Sequence, residues 1–233
     1  PFDVPPFSEI SSLRPEEIQR LGRHCVSGRV LATWGASDIL LKAADSEIIR
    51  AELLPGPRPK PDACIDLVGL PSVSGMRISL SKALWRPTSV PEPPPTVDSA
   101  APHTLADLLR DSDSRPCIDV NCYGMTVDVQ GRIQSFGAGD AGPCAFLESD
   151  GLTIGVEPGA GNEFPAELSS GCDVKLTGIF VVEADGWKSN HLLPRIDRAK
   201  IVLRSANDIQ ITSFPSWWTP ARLIGAIGLM WYK

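Results

Sequence analysis

The sequence has 233 residues, of which 42% are hydrophobic and 21% charged, and its formal net charge is −6 at neutral pH. This length suits one large domain or two small ones, and the composition is that of an ordinary folded protein. Lys and Arg residues are scattered along the chain, whereas a protein that binds nucleic acid through its phosphates needs a basic patch or stripe. We therefore expect no nucleic-acid partner.

The first part of the chain predicts a short helix followed by five strands. Within residues 8–22, Pro15 and the two glutamates after it suit the first turn of a helix. Strand-like segments follow at 24–34, 38–44, 47–54, 63–71 and 76–85. Gly28 lies inside the first of them, and a glycine inside a strand often marks a bend. Small barrels need such a bend so that their first strand can pair with two neighbours.

A proline-rich segment at 87–102 predicts a semi-extended linker between two domains. Its P-x-x-P spacing also suits a ligand of an SH3 domain, with a plain spacer as the alternative. The predicted organisation is a first domain at 1–86, the linker at 87–102, a second domain at 103–213 and a tail at 214–233.

The second domain repeats the order of the first. A helix is predicted at 103–111, where Thr104 and Asp107 have a spacing like that of a capping box. Asp150-Gly151 is a good pair for the tight turn of a hairpin. The remaining predictions are strands at 117–129, 144–149, 152–158, 172–183 and 199–205, a long loop at 130–143 and a short helix at 162–171.

Two pairs of glycines support this repeat, because Gly28 corresponds to Gly124 and Gly69 corresponds to Gly178 in the predicted strands. Five strands with a short helix between the third and the fourth have the order of the OB-fold, a small five-stranded barrel. We therefore predict a mainly β protein with two tandem OB-fold-like five-stranded barrels. Each barrel is preceded by a short helix, and a helical segment follows at the C-terminal end.

The candidate ligand site follows from the geometry of the OB-fold. Ligands of this fold lie across strands two and three, between the loops that join strands 1–2 and strands 4–5. In the second domain these loops are predicted at 130–143 and 184–192, and aromatic residues with polar neighbours suit a ligand site. The candidates are Phe136, Asp185, Trp187, Asn190 and His191, with Trp34 in the equivalent loop of the first domain. Alternatively, the two tryptophans pack their loops onto the barrels.

No motif in the sequence predicts catalysis. The GxSxG, HExxH and Walker patterns are absent. The glycine-rich run at 136–142 is not followed by a predicted helix that would hold a phosphate. The three histidines, His24, His103 and His191, are far apart along the chain. We therefore expect a protein that is not an enzyme and that has no cofactor and no metal site.

The six cysteines contain no CxxC pair, which argues against a zinc ribbon or a thioredoxin-like motif. Their even number suits disulfides in an oxidising compartment. Cysteine is also a common small buried residue, so free thiols in the core are the alternative. Both states stay open at this point.

The end of the sequence combines aromatic and apolar residues. Trp217 and Trp218 precede Thr219-Pro220 and an apolar run, which is typical of an aromatic anchor at a membrane interface. The run is shorter than the ~20 residues that span a bilayer. We therefore expect the first part of a truncated transmembrane helix, with a C-terminal helix packed on the barrel as the alternative.

The combination of these elements resembles a known family. The order of helix, barrel, proline-rich linker, helix and barrel ends on RSANDIQI and PSWWTPARLIG, with Arg204-Ser205, Asp208-Ile209 and Trp217-Trp218 as the specific part. This pattern, over residues 8–230, resembles the periplasmic tandem OB-fold region of bacterial membrane sensor histidine kinases and related receptors. The first domain departs from it, because its second and third strands are short and lack an Asp-Gly turn.

The resemblance implies an extracytoplasmic sensor of a two-component system, the periplasmic portion of an inner-membrane protein. It would bind an unknown small molecule or protein, form a homodimer, contact the membrane through its C-terminal helix and relay a signal to the helix after Trp218. The other interpretation is an OB-fold binding module for single-stranded nucleic acid or a glycan, or an accessory domain of an extracytoplasmic hydrolase.

Overall fold

The computed structural model describes residues 4–10, 15–18, 20–43, 47–74, 77–88, 109–112, 115–118, 122–139, 142–184 and 196–215. Most of these residues lie in β-strands, which confirms the prediction of a mainly β protein. The helical elements among them are short. They are the four-residue helix α1 (Pro15–Ile18) and the 3-10 turns Phe7–Glu9 and Ala206–Asp208. Within the predicted helical segment 8–22, the described residues are helical from Pro15 to Ile18, so the helix begins at Pro15 as expected and is shorter than the segment.

The first five strands form a closed barrel with the order β1-β2-β3-β5-β4. The strands are β1 (His24–Trp34), β2 (Asp38–Ala43), β3 (Ile48–Leu53), β4 (Cys64–Ser74) and β5 (Arg77–Pro87). Each of them matches a strand predicted from the sequence, with small shifts at the ends. The barrel encloses a core of alternating apolar residues from all five strands, such as Val30, Ile39 and Ile65.

Gly28 lies where β1 passes from one neighbour to the other. It pairs with Ala43 of β2 and with Ile65 of β4. A Cβ atom at this position would collide with the carbonyl oxygen of Lys42, so only glycine allows this close approach. The predicted bend of the first strand is therefore confirmed.

A two-stranded hairpin, β6 (Leu109–Ser112) and β7 (Arg115–Ile118), follows the first barrel along the chain. The helix predicted at 103–111 is therefore wrong in its last three residues, because they pair with β7 instead. The rest of that helix, linker residues 89–102 and tail residues 216–233 lie outside the described residues, and so do the predicted membrane anchors Trp217 and Trp218.

The second large sheet has the order β12-β10-β9-β8-β11-β13, and β12 also pairs with β11. Each of the five pairings in the first barrel has a counterpart here, including the parallel pair β3–β5, which corresponds to β10–β12. The strands are β8 (Thr126–Gly139), β9 (Gly142–Ser149), β10 (Leu152–Glu157), β11 (Asp173–Ala184), β12 (Ile196–Val202) and β13 (Ile209–Ser213).

Local structure in the second sheet both confirms and corrects the sequence predictions. Asp150 and Gly151 form the predicted tight turn with φ angles of 51° and 76°. The loop predicted at 130–143 is wrong, because β8 continues to Gly139 and β9 begins at Gly142. The helix predicted at 162–171 is also wrong, because this segment forms a series of turns.

The glycine equivalent to Gly28 is Gly131, and not Gly124 as the sequence predicts. Gly124 lies in a turn before β8 with a φ of 80°. A Cβ atom at Gly131 would collide with the carbonyl oxygen of Glu148, as one at Gly28 would with that of Lys42. Gly69 and Gly178 do correspond, because each lies on the fourth strand close to the backbone of the fifth.

The two sheets share a buried interface. Tyr123 and side chains from β11 and β12 pack against the ends of β1 and β2 in one apolar cluster. A backbone hydrogen bond from the Ala160 amide to the Thr33 carbonyl, at 2.7 Å, adds to this contact. The cluster consists of Ala32, Trp34, Leu40, Tyr123, Ile179, Val181 and Val202.

Candidate ligand-binding face

Pairing registers give the positions that correspond in the two sheets. Gly28 and Gly131 are equivalent. In each sheet, the first strand has a bulge that begins two residues after this glycine. Four residues after the bulge begins, Trp34 pairs with the second strand of the first barrel, and Gly137 pairs with the second strand of the second sheet. Trp34 therefore corresponds to Gly137.

The same registers relate the second and third strands. Leu40 pairs with Ala32 and with Arg50, whereas Phe146 pairs with Ser135 and with Gly155. Leu40 therefore corresponds to Phe146, and Arg50 corresponds to Gly155. We call the outer surface formed by these three positions the strand 1–2–3 face of each sheet.

In the first barrel the strand 1–2–3 face is covered by the second sheet. Trp34 and Leu40 are both 0% exposed and belong to the apolar cluster at the interface. The guanidinium of Arg50 and the ammonium of Lys200 both lie 5.5 Å from the centroid of the Trp34 ring. A cation near the face of an aromatic ring is attracted by its quadrupole. The contact of Lys200 with Trp34 joins the two sheets, whereas that of Arg50 lies within the first barrel.

A chain of ion pairs surrounds this tryptophan. Lys200 Nζ lies 3.0 Å from Glu157 and 2.8 Å from Glu183, and Arg50 lies 2.7 Å from Asp38 and 3.8 Å from Glu183. Lys200 and Glu157 are each only 5% exposed. Although burial opposes it, the charge of Asp38 raises the pKa of Arg50 above its usual value. The alternating charges therefore compensate one another inside the interface.

The structure places the predicted ligand residue Trp34 in this interface. It ends strand β1 and does not lie in a loop, and its ring has no exposed surface. Its Nε1 group has no hydrogen-bond partner among the residues that the structure describes. The ring therefore packs one sheet on the other, as in the alternative interpretation of this residue.

In the second sheet the strand 1–2–3 face is open. The Phe146 side chain is 36% exposed, although it stands between the buried residues Ala145 and Leu147. A Cβ atom at Gly137 would lie 3.1 Å from the Phe146 ring, so the glycine leaves room for the ring over β8. Gly155 pairs with Phe146 from the other side. An exposed ring between two glycines is a surface on which a planar or apolar group can stack.

Phe136 lies on the opposite side of the sheet from Phe146. It pairs with Ala145, whose side chain faces the core, and it is 42% exposed at the end of strand β8. Its ring contacts Phe164 edge to face, with 5.9 Å between the centroids. The structure therefore does not bring Phe136 together with Phe146.

The other predicted ligand residues, Asp185, Trp187, Asn190 and His191, lie outside the described residues. Phe146 was not among the ligand residues predicted from the sequence. The alternation in CAFLES carries the signal for it, because buried Ala145 and Leu147 flank an aromatic residue that must then face outward.

A polar cleft with a volume of about 630 Å³ continues along strand β9 from Phe146. It extends from the turn between β9 and β10 to strand β13. Arg132 lies along it and donates to Asp173, with 2.8 Å between Nε and Oδ1. This hydrogen bond lowers the pKa of Asp173. The side chains that line the cleft are Gln130, Arg132, Glu148, Asp150, Asp173 and Thr212.

Other sites are less prominent in the part of the chain that the structure describes. Cys25, Cys64, Cys144 and Cys172 carry free thiols there, and burial raises the pKa of Cys144. Within the same ranges, no three His, Cys, Asp or Glu side chains come together as metal ligands would. None of the helices described is long and apolar enough to cross a bilayer.

Comparison with known proteins gives only distant likenesses. No family model and no curated protein matches the chain. A murine DNA-binding protein bound to double-stranded DNA has 12% identity and a TM-score of 0.32, with 84% of this chain and 100% of that chain covered. The Ifi202 HINa domain in complex with 20-base-pair double-stranded DNA has 11% identity and a TM-score of 0.34, with 83% and 100% covered.

A deletion mutant of the single-stranded DNA-binding protein from Thermus aquaticus has 12% identity and a TM-score of 0.25, with 85% of this chain and 98% of that chain covered. These matches correct the prediction that excluded a nucleic-acid partner, because the similar structures include DNA-binding proteins. Nucleic acid is therefore one of the ligand classes to be tested. The resemblance to sensor histidine kinases stays a prediction.

Proposed function

We propose that this chain is a binding module, and not an enzyme, in which two tandem OB-type barrels act as one unit. The five pairings shared by the two sheets support a second barrel of the same type. The buried interface around Trp34 supports a single unit, because separating the sheets would expose apolar and charged groups together.

The observation that carries the proposal is the exposed ring of Phe146. The first barrel uses its own strand 1–2–3 face to hold the second sheet, so that face is closed to ligands. The second sheet keeps the same face open and places an aromatic ring at its centre. Stacking on such a ring suits a chain-like ligand with ring units, which is either a single strand of nucleic acid or a glycan.

The test compares Phe146→Ala with Phe136→Ala, which removes another exposed ring on the opposite side of the sheet. Binding of a fluorescent oligothymidylate and of neutral polysaccharides is measured for both variants. Loss of one stacking contact costs about 1–3 kcal/mol, so we expect the Kd of the bound class to rise about tenfold or more in Phe146→Ala only. Equal affinities of the two variants would contradict a ligand site at Phe146.

A second candidate function is the sensory region of a transmembrane receptor, and the turn after β12 favours it. This turn is built from the RSANDIQI segment on which the resemblance depends. The amides of Arg204 and Ser205 both donate to Asp208 Oδ2 at 2.8 Å, and the Asn207 amide donates to Ser205 Oγ. This capping box closes the turn immediately before β13, and the tryptophan pair follows β13 in the sequence.

The test of the receptor function is to sequence the gene on both sides of this segment. We expect the apolar run after Arg222 to reach about 20 residues and to be followed by a kinase or cyclase region. A stop codon after Lys233, or a domain that follows without a membrane span, would contradict this candidate and leave the binding module as it stands.

A further inference from the structure

We propose that the cleft beside Phe146 binds a neutral glycan, which rests on the binding function proposed above and names its ligand class. Phe146 lies two residues from Glu148 on the same side of β9. At about 3.4 Å per residue, the backbone positions of Phe146 and the cleft residue Glu148 are therefore about 7 Å apart along the strand. One chain of sugar rings can contact both places.

The charges of the cleft argue against a phosphate-bearing ligand. Among the residues that the structure describes, the carboxylates of Glu148, Asp150 and Asp173 line it together with the guanidinium of Arg132. This guanidinium is already held by Asp173 through two hydrogen bonds. Nucleic acid carries a negative charge on every nucleotide, and such charges are attracted by cations and not by carboxylates.

The same groups suit a ligand with many hydroxyls. A carboxylate accepts hydrogen bonds from hydroxyl groups, and these charge-assisted bonds are stronger than neutral ones. The guanidinium of Arg132 and the amide of Gln130 supply donors for the hydroxyl and ring oxygens. The cleft therefore offers both donors and acceptors without requiring a charged ligand.

The backbone gives the cleft its shape. Gly131 lets strand β8 approach the carbonyl of Glu148 closely, so the strand bends at this point. Gly151 forms the turn at one end with no side chain, and nothing lies within 4 Å of the Cβ position there. The cleft of about 630 Å³ beside Phe146 is shallow and open, so an extended chain of sugar rings can lie along it.

The experiment is affinity electrophoresis of the full chain through gels that contain mixed-linkage β-glucan, xyloglucan, glucomannan, arabinoxylan or dextran. We expect at least one polysaccharide to retard the protein. Phe146→Ala should raise the dissociation constant about tenfold, because it removes the stacking surface. Asp150→Asn should raise it by a smaller factor, because a neutral amide accepts weaker hydrogen bonds than a carboxylate. Asp150→Asn suits this test, because Asn tolerates the positive φ of 51° at that turn.

Phe136→Ala is the matched control, because this exposed ring lies on the opposite side of the sheet, and it should migrate like the wild type, while circular dichroism shows that every variant is folded. Fluorescent oligothymidylate is added in a parallel titration. If it binds through Phe146 and no polysaccharide does, the glycan inference is overturned and the binding function stands. If neither the polysaccharides nor the oligothymidylate binds, both the glycan inference and the proposed binding function are contradicted. Retardation that Phe146→Ala and Asp150→Asn leave unchanged also overturns the inference.

Discussion

The strand 1–2–3 faces of the two sheets differ at three corresponding positions. The first barrel has Trp34, Leu40 and Arg50, whereas the second sheet has Gly137, Phe146 and Gly155. Trp34 and Leu40 are buried under the second sheet, and Arg50 is partly buried beside them. The second set exposes one aromatic ring between two glycines. Similar backbones can thus present either a docking surface or a ligand surface, depending on a few outward-facing residues.

The outer surfaces over the fourth and fifth strands differ as well. The second sheet meets the first barrel with Ile179, Val181 and Val202, which are buried in the interface. Counting from the matched glycines and strand pairs, the corresponding residues of the first barrel are Leu70, Ser72 and Ser81. The two serines line a polar cleft of about 310 Å³. Each sheet therefore carries only one half of the interface.

The largest expected effect comes from Trp34→Ala. Removing a fully buried tryptophan costs about 3–5 kcal/mol, because a cavity remains where the two sheets meet. Urea unfolding followed by circular dichroism measures the loss. Trp34→Phe is the control, and we expect it to lose less than half as much. If the two variants are equally destabilised, the size of the ring is not what holds the sheets together.

The next effect comes from Lys200→Met. This change leaves the carboxylates of Glu157 and Glu183 without the cation that lies within 3.0 Å of both. Breaking a buried pair by removing one partner costs about 3 kcal/mol. The double variant Lys200→Met/Glu157→Gln should recover part of the stability in the same urea titration. No recovery would show that the methionine itself disturbs the packing.

The smallest effect concerns Tyr123. Burial raises the pKa of Tyr123 to about 12, although the charges of Arg50 and Arg77 oppose this. The unfolded chain loses this proton near pH 10, so folding stability is complete below that value. It falls as the pH rises toward 12, by roughly 2 to 3 kcal/mol.

Ultraviolet absorbance of the phenolate measures this titration in a Tyr232→Phe background, which leaves Tyr123 as the only tyrosine. We expect the midpoint to fall toward 10 when Trp34→Ala is added, because the interface then admits water. A midpoint near 10 in the parent protein would show that Tyr123 is not buried between the sheets.

Much of the fold could be predicted from the sequence, because the strands of the first barrel alternate clearly and Gly28 marks the bend. The second sheet was harder. Gly124 and Gly131 both follow strand-like residues, and only the close approach to Glu148 identifies the second as the bend. Pro165 and the glycines around it lie where a helix would start and stop, which favoured a helix at 162–171. The structure has turns in this segment.

The candidate site was harder to predict than the fold. A tryptophan at the end of a strand suits a ligand site and an interface equally well in sequence, and only the second sheet covering Trp34 decides between them. Phe146 is in principle visible in the alternation of CAFLES. Its exposure, however, depends on the glycines of two neighbouring strands, which sequence analysis does not bring together.

The contact between the two sheets is head to tail, since it joins unlike surfaces of two similar units. A contact of this kind can repeat. Units that carried both surfaces would bind one another in series and form a ring or a filament. In the first barrel, Ser72 and Ser81 stand where the second sheet has the contact residues Val181 and Val202, and in the second sheet Gly137 stands where the first barrel has Trp34. Apolar substitutions at Ser72, Ser81 and Gly137 are therefore expected to favour association of further copies.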